Sequence, residues 1–464
     1  MGKAANLVEK QATIRWICPV ITMRHVVAMF LLISVLTARA AEYQQLENLA
    51  AESADQATLG LRDIGKAREK SPRRWLLRDA LADRSPFWRD SSLDLGIRVY
   101  DFRRENGNQS IAEAFAAGTE LTFRSGKWRD RLSTIISWHT SFAIDAPDGL
   151  GRTGLLAENQ SDLSVISRAY LQYDFAKSTS LRLYRQDFNM PYLNRQDSRM
   201  IPNTHEAYVL RHPGKRLEWV FGHVTKMKRR DSEDFVPMGE IAGIIGNNAG
   251  TSVAGARYTL RDETTLGALV QHTDDVFTTA YSEMSFRRKL SEDWGMQLAT
   301  QLTNQWSSGD ELIGDFNTYT WGLRGKVSFR GFILTGAYTQ AGDAEIQKPF
   351  GGTPGFTSSM LFDFDRPNEN AYRVGLSQNF AVIGRPDFSL IVNYTKGRNA
   401  KTAVGGALPD TEEIAITADF RPQEGFLKGL WLRIRYADGD RGSPLADRRD
   451  VRVILNYTLA AFGD

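Results

Sequence analysis

Arginine recurs in this chain at positions that would present its charge on one face of an extended segment. Arg98, Arg168, Arg257, Arg324, Arg373, Arg433, Arg435 and Arg452 each lie in a short run of alternating apolar and polar residues, and each falls on the polar parity, as does Tyr170. A guanidinium is permanently charged and grips a carboxylate through a planar fork, so such a set suits recognition of organic acids. A second concentration of charge lies in Leu181 to Glu206, where Arg185, Arg195 and Arg199 stand against Asp187, Asp197 and Glu206 around Pro191 and Pro202. The stretch opens as an alternating strand and breaks into a loop too long to be a simple connection. The competing reading is that such arginines only pair with nearby acids to satisfy a polar interior.

Catalytic alternatives find little support. Gly250-Thr-Ser252-Val-Ala-Gly255 misses the spacing of a nucleophile elbow. His139, His205, His212, His223 and His272 show no metal-ligand spacing, and no phosphate-binding loop is present. Asp438-Gly-Asp440 reads as a solvated turn before a cation site. Cys18 is the only cysteine, and a net charge of +3 disfavours a generic nucleic-acid binder. Neither catalytic residues nor a cofactor nor a metal is therefore expected, and nucleic acid is not an expected partner.

The elements that must position these residues are strands. Leu93, Leu95, Ile97 and Val99 oppose Asp94, Arg98 and Tyr100; Val165, Ala169, Leu171, Tyr173 and Phe175 oppose Arg168, Tyr170, Gln172 and Asp174; Leu430, Leu432, Ile434 and Tyr436 oppose Arg433 and Arg435. About eighteen such segments follow Ser91, their apolar faces often ending in Tyr, Trp or Phe as a lipid-facing belt would. Short turns, as near Lys127, Glu292 and Arg330, alternate with longer Gly-, Pro- and charge-rich loops, as near Pro147, Arg195, Asp234 and Gly352, with a brief link near Asp274 as the exception. A soluble sandwich has no reason to sort its loops by parity, whereas an outer-membrane barrel does. The expected fold is an all-β transmembrane antiparallel up-and-down barrel over residues 91–464.

Two segments precede it. Arg24-His25 and the apolar run Val26 to Leu36, with Ala38-Arg-Ala40 after it, read as a secretory signal peptide over residues 1–40, Met23 being an alternative start. The apolar run is about half the length a membrane helix needs. Residues 41–90 are rich in Ala, Glu, Gln, Lys and Arg and read as a periplasmic tether, with Trp75, Leu76, Leu77 and Pro86-Phe87-Trp88 as docking residues.

The run Arg185-Gln186, Pro191, Asn194, Asp197-Ser-Arg199, Pro202 and Thr204 resembles the OprD family of bacterial outer-membrane porins, the outer-membrane carboxylate channels. Asp447 to Tyr457 and Leu430 to Tyr436 resemble its two closing strands, so the resemblance covers most of residues 91–462. It implies that the loop at 189–204 folds inward as a constriction, and that a track of lumen arginines guides carboxylate-bearing solutes. On that basis the expected pore residues are Arg168, Tyr170, Arg185, Asp187, Arg195, Asp197, Arg199, Arg324, Arg373, Arg433, Arg435 and Arg452, the acids moderating the pull. The expected function is passive, substrate-selective diffusion of small anionic solutes such as amino acids and organic or aromatic acids. Outer-membrane lipid and lipopolysaccharide would surround a monomer or homotrimer. The alternatives are an adhesin or structural barrel and, less favoured, a barrel hydrolase.

Overall fold

The computed structural model describes residue 81 and residues 83–462, apart from 177, 262, 353–354 and 444–445. The signal peptide, Cys18, and the tether with its Trp75-Leu76-Leu77 lie outside the described residues. The chain is organised by β1 (Ser92–Asn106), β2 (Ile111–Arg124), β3 (Leu132–Asp145), β4 (Leu163–Asp174) and β5 (Ser180–Gln186). A hairpin of β6 (Asn189–Met190) and β7 (Leu193–Asn194) interrupts the series before β8 (Thr204–Pro213), β9 (Leu217–Lys228) and the short β10 (Val236–Pro237). It resumes with β11 (Thr251–Arg261), β12 (Thr264–Thr273), β13 (Phe277–Lys289), β14 (Trp294–Ser307) and β15 (Asn317–Phe329). It ends with β16 (Phe332–Ala341), β17 (Asn370–Phe380), β18 (Arg385–Arg398), β19 (Thr411–Phe420), β20 (Leu430–Asp440) and β21 (Arg448–Phe462).

Every barrel strand pairs antiparallel with its neighbours, and β1 pairs with β21 through Ile97–Tyr457 and Val99–Leu455, which closes the sheet. Nineteen strands share that sheet; without the two-residue β10 the wall has eighteen. Closure removes every sheet edge, the condition for spanning lipid with strands. The sequence alternation maps directly onto the wall. Ile434 and Val451 are 47% and 41% exposed on the outside, whereas Arg433 and Arg452 are 7% and 3% exposed within.

One strand departs from the expected parity. Between β3 and β4 the register steps from Ser137–Arg168 to Trp138–Ile166, leaving Ser167 as a bulge. An extra residue reverses which side each later side chain takes. Val165, expected on the outer face, is therefore buried, and Ile166 takes its place outside.

Loops sort by rim as expected. Residues 125–131, 290–293 and 330–331 make one rim, and 146–162, 187–203, 229–250, 342–369 and 399–410 the other, with 107–110 and 274–276 as short links on the long-loop side. In barrels of this kind the long loops face outward from the cell. At the short-turn rim a helical turn, Pro86–Arg89, sits against the wall: Gly126 donates its N–H to the Phe87 carbonyl at 2.8 Å, and Trp88 meets Phe123.

Candidate constriction and its two inward loops

Residues 187–203 leave the wall because they offer the lumen an apolar underside and a charged rim. Phe188, Met190, Tyr192 and Leu193 are buried in one cluster with Val209, Val253, Phe277 and Phe350. Directional bonds fix the register: Tyr192 donates to Thr303 Oγ1 at 2.9 Å, Gln271 to the Pro191 carbonyl at 2.7 Å, and the Lys228 ammonium to the Pro202 carbonyl at 3.1 Å. The charged rim forms a relay. Arg168 pairs with Glu120 and lies 3.9 Å from Asp187; Arg195 bridges Asp187 at 3.1 Å and Asp197 at 2.7 Å; Arg98 meets Asp197 at 2.8 Å. Burial opposes the Arg195 charge, yet the Asp197 and Asp187 carboxylates outweigh it and hold the guanidinium above its ordinary range. Three guanidiniums meet three carboxylates, so this part of the loop is neutralised from within.

A second loop, which sequence reading treated as an external connection, also enters the lumen. Residues 342–369 run down beside the first loop: Gln305 and Gln347 exchange hydrogen bonds of 3.0 and 2.6 Å, and Asn194 bonds Phe350 and Gly352 of the second loop. Glu413 in β19 accepts the backbone N–H groups of Met360, Leu361 and Phe362 at 2.7 to 3.1 Å. Arg373 donates to the Ser358 carbonyl at 2.9 Å, Arg324 lies 4.3 Å over Phe356, and Arg452 reaches the Met360 carbonyl. Gly439 admits Phe362 to the wall; any Cβ there would collide with its ring.

The expected pore residues thus divide. Arg168, Arg195, Asp187 and Asp197 meet at the constriction, as a self-neutralised relay. Arg324 and Arg373 support the second loop. Arg433 makes a two-point ion pair with Asp419 at 2.7 and 2.8 Å beside Trp431, and Arg452 pairs with Asp450. Tyr170 is inside but covered by Arg182, whose guanidinium lies 4.8 Å over its ring. Arg185 is not brought into the lumen. It pairs with Glu206 at 3.0 Å, on the register side of Leu181, Leu183 and Tyr208, and its guanidinium lies 4.0 Å over Phe235. There it closes a gap: β4 pairs with β5 only from Ala169 to Asp174, and above that Arg185 donates to the Ile166 carbonyl while Glu233 accepts the Ser164 N–H.

Arg435 and Arg199 are different. Among the described residues neither has a carboxylate within ion-pair distance. Arg435 makes one 3.3 Å bond to Thr417 and stands directly across from Arg452. Arg199 donates to the carbonyls of Thr153 and Ser198, at 2.6 and 2.8 Å, and lies 4.8 Å over Phe102. Burial and the neighbouring Arg452 guanidinium pull Arg199 well below its ordinary range, so its charge is one that an anion would relieve. Phe102 also underlies Arg104 and Arg452 at 5.5 and 5.3 Å, and Tyr100 ties the loop tip through the Ser198 carbonyl at 3.3 Å. Sequence reading missed Phe102, Arg104 and Arg230, the last of which donates to Ser198 Oγ at the loop tip at 3.0 Å. The first two continue the parity of Arg98 and Tyr100, but a phenylalanine on a polar face hides the pattern.

At the outer end of the second loop Lys348 is held by Asp363 and Asp365 at 2.9 and 2.7 Å. Burial raises the Asp365 carboxyl to about 6; Lys348 opposes the shift and Asp363 and Glu369 add to it. A folded-state value above the ordinary 3.8 means that ionisation costs the fold stability. That stability is fully present below about pH 4 and is lost as pH rises through about 6. The expected result is quieter single-channel current at about pH 5 than at about pH 7.5, with Asp365→Asn quiet at both. Equal noise in the wild type at the two values would contradict it.

A closed barrel with an apolar outer belt and two loops drawn into an arginine-bearing lumen is the form of an outer-membrane diffusion channel. The sequence profile of outer-membrane porins of the OprD family matches residues 85–461, and the chain belongs to that family. It is an outer-membrane channel, not an enzyme. The chain is 23% identical over 429 residues to Porin D of Pseudomonas aeruginosa, covering 82% of this chain and 93% of that one. It is 23% identical over 290 residues to the porin-like protein GalP of Pseudomonas putida, covering 61% and 68%. Its fold is similar to the crystal structure of Pseudomonas aeruginosa OccK9 (OpdG), with a TM-score of 0.75 and 21% identity over 81% of this chain and 100% of that one. It is likewise similar to Pseudomonas aeruginosa OpdK with vanillate, at TM-score 0.72 and 19% identity over 81% and 100%.

Proposed function

We propose that the channel favours small solutes bearing a carboxylate, and that Arg435 and Arg199 carry the preference. The observation behind this is that among the described residues these two guanidiniums beside the constriction have no carboxylate within ion-pair distance, while Arg98, Arg168, Arg195 and Arg433 each hold one. A solute carboxylate at about 4 Å from one guanidinium gains roughly 4 kcal/mol at an effective dielectric near 20. Hydration lost on approach offsets part of this, leaving a contact tight enough to select and loose enough to release. The bound vanillate of OpdK, an aromatic carboxylate, is a precedent for this chemistry on the same fold. The solute crosses within one chain's lumen, so the reading holds for a monomer and a homotrimer alike. Lipid and lipopolysaccharide meet only the outer belt.

Bilayer recordings under gradients of chloride, butanoate and vanillate salts test it. Reversal potentials should report anion preference, and carboxylates should enter liposomes faster than uncharged solutes of equal size. Cation preference, or equal swelling rates with the uncharged solutes, would refute the proposal.

A further inference from the structure

We infer that the outer mouth holds a second solute site, separate from the constriction, built for a small zwitterion. It is a cavity of about 600 Å³ between the second inward loop, Lys401 to Ala403 with Leu408, and Arg441 with Arg448, a size suited to one small molecule. Its lining carries both charges. Arg441 and Arg448 lie 4.3 and 5.7 Å over the same ring, that of Phe362, and neither has a carboxylate within ion-pair distance among the described residues. Against them, Asp363 and Asp365 share the Lys348 ammonium and so keep one negative charge between them, Arg366 being taken up by Glu369; Asp343, Glu345 and Lys401 also line the cavity.

The ring is not loose. Glu413 anchors the backbone around Phe362 from the wall, so the platform under both guanidiniums is fixed. Stacking leaves the N–H edges of a guanidinium free to fork onto a carboxylate. An anion alone would meet that edge but also face Asp363 and Asp365; a cation alone would meet the acids but face two guanidiniums. A molecule carrying both groups on a short chain satisfies both charges. This site shares no residue with the relay or with Arg435 and Arg199, and it stands whether or not the constriction prefers carboxylates.

The test uses the full barrel in a bilayer, with 4-aminobutanoate, butanoate and butylammonium added in turn on the long-loop side. The zwitterion should interrupt the current with dwell times about tenfold longer than either singly charged analogue, the scale of one charge-assisted contact. Arg441→Gln with Arg448→Gln, and separately Asp363→Asn with Asp365→Asn, should each shorten that dwell about tenfold, the chloride-to-butanoate permeability ratio staying at the wild-type value. Arg441→Lys, which keeps the charge but loses the stacked fork, should shorten it about threefold and serves if the glutamine pair does not insert. Equal dwell for butanoate and 4-aminobutanoate, or wild-type dwell in these variants, would overturn the site. A changed permeability ratio with unchanged dwell would do so as well. Loss of selectivity in Arg435→Ala alone bears on the constriction and leaves this site as it is.

Discussion

Arg435→Ala is expected to lower the carboxylate-to-cation permeability ratio about tenfold while leaving the barrel folded. The residue contributes charge without structure: among the described residues its one hydrogen bond, to Thr417, is long, and no carboxylate lies within ion-pair distance of it. Its removal strands no buried carboxylate, and it relieves the repulsion from Arg452 across the strand pair. What is lost is a charge-assisted contact to the passing solute, about 1.5 kcal/mol at the low end of the usual range because hydration offsets it, or roughly tenfold in a relative permeability. Arg433→Ala makes the contrast. It abandons Asp419, a nearly buried carboxylate, and should appear as lowered thermal stability in detergent before it appears as altered selectivity. If the two variants shift the reversal potential alike and Arg435→Ala also destabilises the barrel, the division between free and paired arginines is wrong.

Arg195→Ala is expected to have the larger effect on the pore itself. Arg195 is the link through which Asp187 and Asp197 share a cation, and both acids are mostly shielded from water. Removing one partner from buried pairs costs up to about 3–5 kcal/mol, and here it leaves Asp187 with only the distant Arg168 at 3.9 Å and Asp197 with Arg98 alone. The loop should then hang from the Asp197–Arg98 pair alone and swing away from Asp187. Unit conductance should rise and fluctuate, and selectivity should move toward cations as two acids become unmasked. Adding Asp187→Asn removes the stranded charge and should restore much of the quiet, low-conductance behaviour; a double-mutant cycle on unit conductance and noise measures the coupling. Unchanged conductance in Arg195→Ala would mean that the apolar underside, Phe188 to Leu193, holds the loop unaided.

The contrast between Arg435 and Arg195 also marks how far sequence reading extends. Alternation placed Arg435 on the inward face, because it is local and needs only neighbouring residues to say which face a side chain takes, whereas Arg195 was placed in the pore by the family resemblance of its loop. That one is free and the other neutralised was not legible. The acids of the relay come from β2 and from both ends of the loop, and their distances depend on how far the loop drops. Arg185 shows the same limit. It shares the parity of Leu181 and Leu183, but the family resemblance put it among the pore residues, and that it plugs a gap where β5 leaves the wall appears only in the fold.

The second inward loop was missed for a related reason. Nothing within 342–369 distinguishes a loop that hangs over the mouth from one that enters it; the decision lies with Glu413, Arg373 and Gly439 on distant strands, whose value appears only when they face the same space. Sequence alone determined the barrel, its approximate strand number and the sorting of its loops, because a two-residue period in lipid leaves a closed sheet as the solution that satisfies every backbone group, while the inward fold of the first loop was legible only through the family resemblance. Tertiary structure alone decided which guanidiniums keep an unspent charge, since neutralisation is a matter of distance between residues far apart in the chain, and a single bulge or an infolded loop resets those distances.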